Sequence, residues 1–210
     1  MKNIMNKLHV SILAFVLSIN LQAQEKGHTR FSLVFEPIIS WMKSDDILIE
    51  SDGPLAGYNF GVKIDRFFGE NYAFTTGLMI NTSGGKLSYP PVESNSAYST
   101  TYRLKHIEIP LGLRLRSDDL RRINIYGRFG LSPQIKIQAL GSDGSSISDE
   151  VNLFELGYHL GGGIEYSLGR KNGIILGLIF NNGFTDITKN NGFNDKTILN
   201  CLALEFGFIF

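Results

Sequence analysis

Residues 106–116 read His106-Ile107-Glu108-Ile109-Pro110-Leu111-Gly112-Leu113-Arg114-Leu115-Arg116. Odd positions are all bulky aliphatics, whereas even positions are charged, imidazole, small or Pro. Successive side chains of an extended chain point to opposite faces, so this run is a strand with one apolar and one polar side. A helix would repeat its apolar positions every 3.6 residues, and this stretch does not.

The same period of two recurs on either side of the run. Phe31, Leu33, Phe35, Pro37, Ile39 and Trp41 share one face of a first segment. Tyr58, Phe60, Val62 and Ile64 alternate with Asn59, Gly61, Lys63 and Asp65 in a second, and Tyr72, Phe74, Thr76, Leu78 and Ile80 line a third. Downstream, Ile123, Ile125, Phe129 and Leu131 face away from Asn124, Tyr126, Arg128 and Ser132. Leu156, Tyr158, Leu160, Ile164 and Tyr166 then oppose Glu155, His159 and Glu165. A seventh segment has Ile174, Leu176, Leu178 and Phe180, with Ile175 and Ile179 blurring its polar face. The eighth has Leu202, Leu204, Phe206, Phe208 and Phe210 opposite Cys201 and Glu205. Each of the eight is long enough for the roughly 9–11 residues that a tilted strand needs to cross a bilayer.

The connections alternate in length. Tight turns are expected at Phe68–Asn71, Ser117–Leu120 and Gly169–Asn172. Long polar loops are expected over Lys43–Gly53, Thr82–Thr101, Leu140–Glu150 and Asp186–Lys196. Short turns at one end and long loops at the other is the plan of a bacterial outer-membrane barrel, with the short turns in the periplasm. With odd strands rising and even strands descending, aromatics collect at two levels. The lower girdle is Phe31, Tyr72, Tyr166, Phe208 and Phe210; the upper is Trp41, Tyr58, Tyr102, Phe154 and Phe184. The expected fold is therefore all-β, an eight-stranded antiparallel up-and-down transmembrane barrel.

Composition agrees. The chain carries 23 Gly and 15 Phe but 6 Pro, which suits bending, closely packed strands. Lys plus Arg equal Asp plus Glu at 20 each, so no basic surplus points to nucleic acid. Cys201 is the only cysteine, which excludes an intrachain disulfide and a cysteine zinc site. Residues 1–23 read as a cleavable signal peptide: Lys2 and Lys7, an apolar run from Val10 to Leu21, and a small Ala23 at the cut. Residues 24–210 are the barrel domain, and no cysteine follows the apolar run to carry a lipid anchor. Export and outer-membrane insertion give the localisation.

The rival reading is a soluble lipocalin-like barrel around an apolar ligand, with its charged face outside. Here the polar face carries glycine and clustered charges of both signs. Lys63, Asp65, Glu108, Arg114, Arg128, Glu155, Glu165 and Glu205 are expected to point into a narrow lumen and pair there, because buried charges persist only when paired. Gly61, Gly77, Gly112, Gly130, Gly157, Gly161, Gly163 and Gly207 would leave them room. An eight-stranded barrel is filled by its own side chains, so a general diffusion pore is not expected.

Three stretches resemble the Bacteroidetes outer-membrane β-barrel family often called PorT-like. They are Ile107-Glu108-Ile109-Pro110-Leu111, Leu160-Gly161-Gly162-Gly163-Ile164-Glu165-Tyr166 and Phe184-Thr185-Asp186-Ile187. The resemblance covers essentially the whole mature chain and implies a fold and a location more than an activity. Its namesake takes part in protein secretion and gliding. The terminal Phe210 of an alternating aromatic strand is similar to the signal read by the barrel-assembly machinery.

Small barrels can also be lipid-modifying enzymes that use a Ser or His with a carboxylate near the outer rim. His28, His106 and His159 are the mature histidines; Glu108 and Glu155 lie close to the last two, and Ser99 or Ser148 would complete a Ser-His-Glu set. No spacing favours that set over interior packing, and the expectation is a non-enzymatic barrel. Gly161-Gly162-Gly163 lies within a strand with no helix after it, so it is not a phosphate loop. Loop acids (Asp45, Asp46, Glu50, Asp52, Asp143, Asp149 and Glu150) read as solvated charge before calcium or lipopolysaccharide ligands. Tyr89-Pro90-Pro91 should stiffen the second loop into an extended tip. No cofactor or metal is implied. The expected partners are outer-membrane lipid, the assembly machinery and a surface or envelope protein.

Overall fold

The computed structural model describes residues 28–90, 98–118, 120–169, 171–189 and 196–210. The signal peptide lies outside these residues, as does Pro91. Ten-odd residues of alternating sequence per crossing extend into β1 (Thr29–Ser44), β2 (Glu50–Phe67), β3 (Tyr72–Tyr89), β4 (Tyr98–Glu108), β5 (Leu111–Arg116), β6 (Ile123–Leu140), β7 (Phe154–Gly169), β8 (Asn172–Gly183) and β9 (Thr197–Ile209). All pairings are antiparallel, and β1 pairs with both β2 and β9, so the sheet closes on itself. Closure leaves no edge, which is what hydrocarbon demands of strands.

The nine segments make eight staves. β4 and β5 both pair with β3 on one side and β6 on the other. They are one strand interrupted at Ile109-Pro110. Pro110 has no N–H to give the ladder, but Ile109 keeps the contact by donating to the Pro133 carbonyl at 3.0 Å. The tight turns fall at 68–71, 117–122 and 169–172. Arg121 (φ 66°) and Gly169 (φ 107°) supply left-handed backbone at the second and third.

Two of the expected long loops, Lys43–Gly53 and Thr82–Thr101, are largely strand, whereas the connections after β6 and β8 lie outside the strands. β2, β3 and β6 run for 18 residues each, well beyond a bilayer crossing. The β3–β4 ladder continues from Met79↔Glu108 to Tyr89↔Tyr98, so most of the Thr82–Thr101 loop is a paired hairpin. The first loop shrinks to residues 45–49. Ser, Thr and Gly made these stretches read as loops, yet the ladder is made by the backbone and tolerates them once the strands are aligned. The third connection carries a 3-10 turn at Ser148–Glu150, and Lys136 Nζ donates to the Ser148 and Val151 carbonyls, each at 2.5 Å.

The two faces sort as the alternation requires. Leu33, Ile39, Leu78 and Leu204 are 47–58% exposed on the outside, while Lys63, Asp65 and Glu205 are at most 5% exposed inside. That arrangement overturns the soluble lipocalin-like alternative, whose apolar face would be the buried one. The inward face also changes character along the axis. Toward the outer end Met42, Ile49, Leu87, Tyr89, Tyr102, Leu104, Ala139, Val151, Ile187 and Leu199 form one buried apolar cluster.

Tyr102 thereby leaves the expected girdle. It has the same parity as His106 and Glu108, so it points inward, is 4% exposed, and meets Tyr89 hydroxyl to hydroxyl at 2.8 Å. The other girdle residues are on the outward face. Phe31 stacks beside Phe210 at the short-turn end, Trp41 lies 6.3 Å from Phe180 toward the other, and Tyr58 lies 6.3 Å from Phe60. Tyr72, Phe154, Tyr166 and Phe208 are each more than 40% exposed.

Candidate functional site

The eight charged residues expected in the lumen are all there and all buried. Barrel closure arranges them in layers. Nearest the short-turn end, Arg30 on β1 makes a fork to Glu165 on β7, Nη1 to Oε2 at 2.8 Å and Nη2 to Oε1 at 2.7 Å. Arg114 donates to the same carboxylate and lies 3.5 Å from Asp65 Oδ2. Asp65 also accepts from Arg30 at 3.2 Å and from Thr75 Oγ1 at 2.6 Å. The Arg114 guanidinium stacks 3.8 Å from the Tyr126 ring, a cation–π contact that desolvation strengthens.

One layer further in, Glu205 on β9 gathers Lys63 (2.9 Å), Arg128 (2.8 Å) and the Tyr126 hydroxyl (2.5 Å). Glu36 on β1 takes Lys63 at 2.5 Å and Asn59 at 3.2 Å. Each layer thus balances two cations against two carboxylates. Charge-assisted bonds are the stronger kind, but taking both partners out of water offsets much of the gain. The lasting consequence is register, since strands distant in sequence are cross-braced through the interior.

The third layer is different. Glu108 accepts from Asn81 at 3.3 Å, and His106 Nε2 comes only to 3.7 Å from Glu155 Oε2. Among the described residues neither carboxyl has a Lys or Arg in ion-pair contact.

Arg30, Glu36 and Tyr126 completed the network without having been expected as network charges. Parity could have found them: Glu36 stands between Phe35 and Pro37, both outward, and Tyr126 had already been placed on the polar face.

The imagined triads do not assemble. Ser99 is exposed and donates to Asp52 at 2.5 Å, and Ser148 sits in the 3-10 turn. The serine beside a histidine is Ser132, 2.9 Å from His159 Nδ1, and it also hydrogen-bonds Glu108. There the serine stands between acid and imidazole, whereas a nucleophilic triad needs the imidazole in the middle. His106 and His159 are 1% and 5% exposed, facing the lumen and away from lipid.

His28 closes the short-turn mouth by stacking on Phe67 at 4.2 Å. Burial, then the neighbouring Arg30 charge, holds its imidazole below the usual range. The mouth is a cavity of about 320 Å³ lined by His28, Arg30, Arg116, Glu165 and Lys171. The loop acids mostly tie down backbone: Asp45 accepts from Lys196 N at 2.6 Å, Asp46 from Leu48 N at 2.9 Å and Asp143 from Ser145 N at 3.0 Å. Bonds from Ser145 draw the Asp143 carboxyl below its ordinary value.

A closed, inside-out barrel of this kind has counterparts among known proteins. Residues 17–191 match the family described as outer membrane protein beta-barrel domain. The chain belongs to that family. It is an outer-membrane protein. The barrel of neisserial surface protein A (NspA), from Neisseria, is 13% identical with a TM-score of 0.54, covering 85% of this chain and 95% of that one. Ail of Yersinia pestis (14% identity, TM-score 0.41, 88% and 99% covered) and OprG of Pseudomonas aeruginosa (12%, 0.45, 88% and 98%) superpose more loosely. At this identity the likeness to the neisserial structure is one of fold alone. A comparison with curated proteins finds no match.

The inward charges pack against one another across the interior. Several glycines make that packing possible. A Cβ at Gly112 would stand 3.0 Å from His159 Nε2, and one at Gly207 would stand 3.1 Å from both Ile175 and Val34.

Proposed function

We propose that this outer-membrane barrel is a non-enzymatic scaffold that presents its outer strands and connections to a surface or envelope protein. The observation that carries the reading is the filled lumen. Ion-paired layers occupy its lower part, and the apolar cluster from Met42 to Leu199 occupies its outer end. Chemistry available to a partner is therefore on the outside, where strands of 18 residues lift the connections beyond the bilayer. An accessory part in secretion is one form of this role, supported by the PorT-like runs at Ile107–Leu111 and Leu160–Tyr166. On the same reading residues 1–23 direct export, and the strand ending at Phe210 is recognised by the barrel-assembly machinery.

The competing class is an enzyme acting on outer-leaflet lipid. Lipid A mass spectra from cells with and without the protein separate the two. Identical spectra, and rescue of the deletion phenotype by a His106→Ala/His159→Ala double variant, are expected. A lipid mass difference that the double variant abolishes would sink the scaffold reading.

A further inference from the structure

Just below the apolar seal, the third layer of the lumen surrounds a cavity of about 10 Å³, room for roughly one water-sized particle. Its lining includes Asn81, Ser83, Gln134 and Glu155. All four are at most 5% exposed, and each carries a buried oxygen without a hydrogen-bond partner: Asn81 Oδ1, Ser83 Oγ, Gln134 Oε1 and Glu155 Oε2. Asn81 is oriented by its Nδ2, which donates to Glu108 Oε2, so its carbonyl oxygen is the end left over.

Buried oxygens are rarely left unpartnered in folded proteins. One water donates only two hydrogen bonds, so at least one of the acceptor oxygens of Asn81, Gln134 and Glu155 is left to the single proton of the Ser83 hydroxyl; a cation can attract all four oxygens together. Charge points the same way. The lower layers pair Asp65, Glu165, Glu36 and Glu205 with Arg30, Arg114, Lys63 and Arg128. Among the described residues Glu155 has no Lys or Arg in ion-pair contact, and His106 Nε2 comes to 3.7 Å of it.

The donors also select the ion. They are all oxygen, and among the described residues no three His, Cys, Asp or Glu side chains converge as a transition metal would require. Calcium takes six to eight oxygens, and magnesium sheds its water reluctantly. One carboxylate with three neutral oxygens around so small a space suits a dehydrated monovalent ion. We infer that this cavity binds a sodium-sized alkali cation held by Asn81, Ser83, Gln134 and Glu155.

The test uses the full barrel in detergent micelles, melted in sodium chloride and in N-methyl-D-glucamine chloride at equal ionic strength and pH. The midpoint should be higher in sodium and rise with its logarithm, as linkage requires of a ligand held by the folded state. Glu155→Gln should flatten that dependence. Equal midpoints in the two salts, or full sodium dependence retained in Glu155→Gln, would overturn the inference. Should Glu155→Gln fail to fold, Ser83→Ala removes one oxygen without touching charge and should move the dependence to higher sodium; an unmoved curve counts against the site. Crystals grown in thallium(I) should show an anomalous peak among the four oxygens. An ordered water there, with no anomalous signal, would refute the site.

Discussion

Glu205 is 0% exposed and accepts from Lys63, Arg128 and Tyr126 at once. Glu205→Ala strands two buried cations on one remaining carboxylate, Glu36. Losing one partner of a buried pair costs about 3–5 kcal/mol, so the urea midpoint of the folded barrel should fall by that equivalent. A midpoint unchanged within error would mean that water reaches the layer. Gly177 guards the same spot from β8. A Cβ there runs into the Tyr126 hydroxyl and sits 3.3 Å from Glu205 Oε2. Gly177→Val is therefore an overpacking change costing about 1–3 kcal/mol, measurable in the same titration. It should add little on top of Glu205→Ala, because both act on one contact. The charges themselves were legible from parity at Lys63, Asp65 and Arg114. Which charge meets which was not: Arg30 and Glu165 are separated by 135 positions.

Among the elements, the period of two located every crossing but not where the strands stop. Tyr98–Thr101 and Thr82–Ser88 looked like loop because Ser, Thr and Gly dominate them, yet they pair residue by residue. What holds this outer extension together is the apolar cluster, in which Leu104 is 1% and Leu87 0% exposed. Leu104→Ala should cost about 2–5 kcal/mol as a core cavity. Because the cluster lies beyond the ion-paired layers, the loss should show first as faster protease cleavage of the outer connections on intact cells. The membrane-embedded part should still give a heat-modifiable band. Loss of that band together with the protease resistance would show that seal and barrel unfold as one unit.

For the molecule as a whole, the decisive property is an apolar outside around a polar inside. Leu204 faces outward in the middle of β9 at 47% exposure. Leu204→Arg should destabilise the barrel in bilayers by about 2–4 kcal/mol, the cost of a cation near the midplane. A soluble barrel would tolerate that change or gain solubility from it. The comparison is read from unfolding titrations in vesicles beside the unboiled and boiled gel mobilities of the two proteins. Wild-type protein should migrate differently in its unboiled state, since a closed barrel has no edge from which to unravel.

Alternation through eight crossings between Phe31 and Phe210, together with unequal connections, was enough to determine the architecture and which face meets lipid. Both follow from a local rule: neighbouring side chains of a strand point opposite ways, whatever lies far off in the chain. Tertiary structure alone decided the rest. Parity assigns Met42, Leu87, Tyr102 and Leu104 to the same inward face as Glu36, Lys63 and Arg128, and nothing local distinguishes a charged lumen from an apolar seal. That distinction, the pairing of Arg30 with Glu165, and the four unpartnered oxygens around one small cavity arise only when closure brings distant strands to the same height.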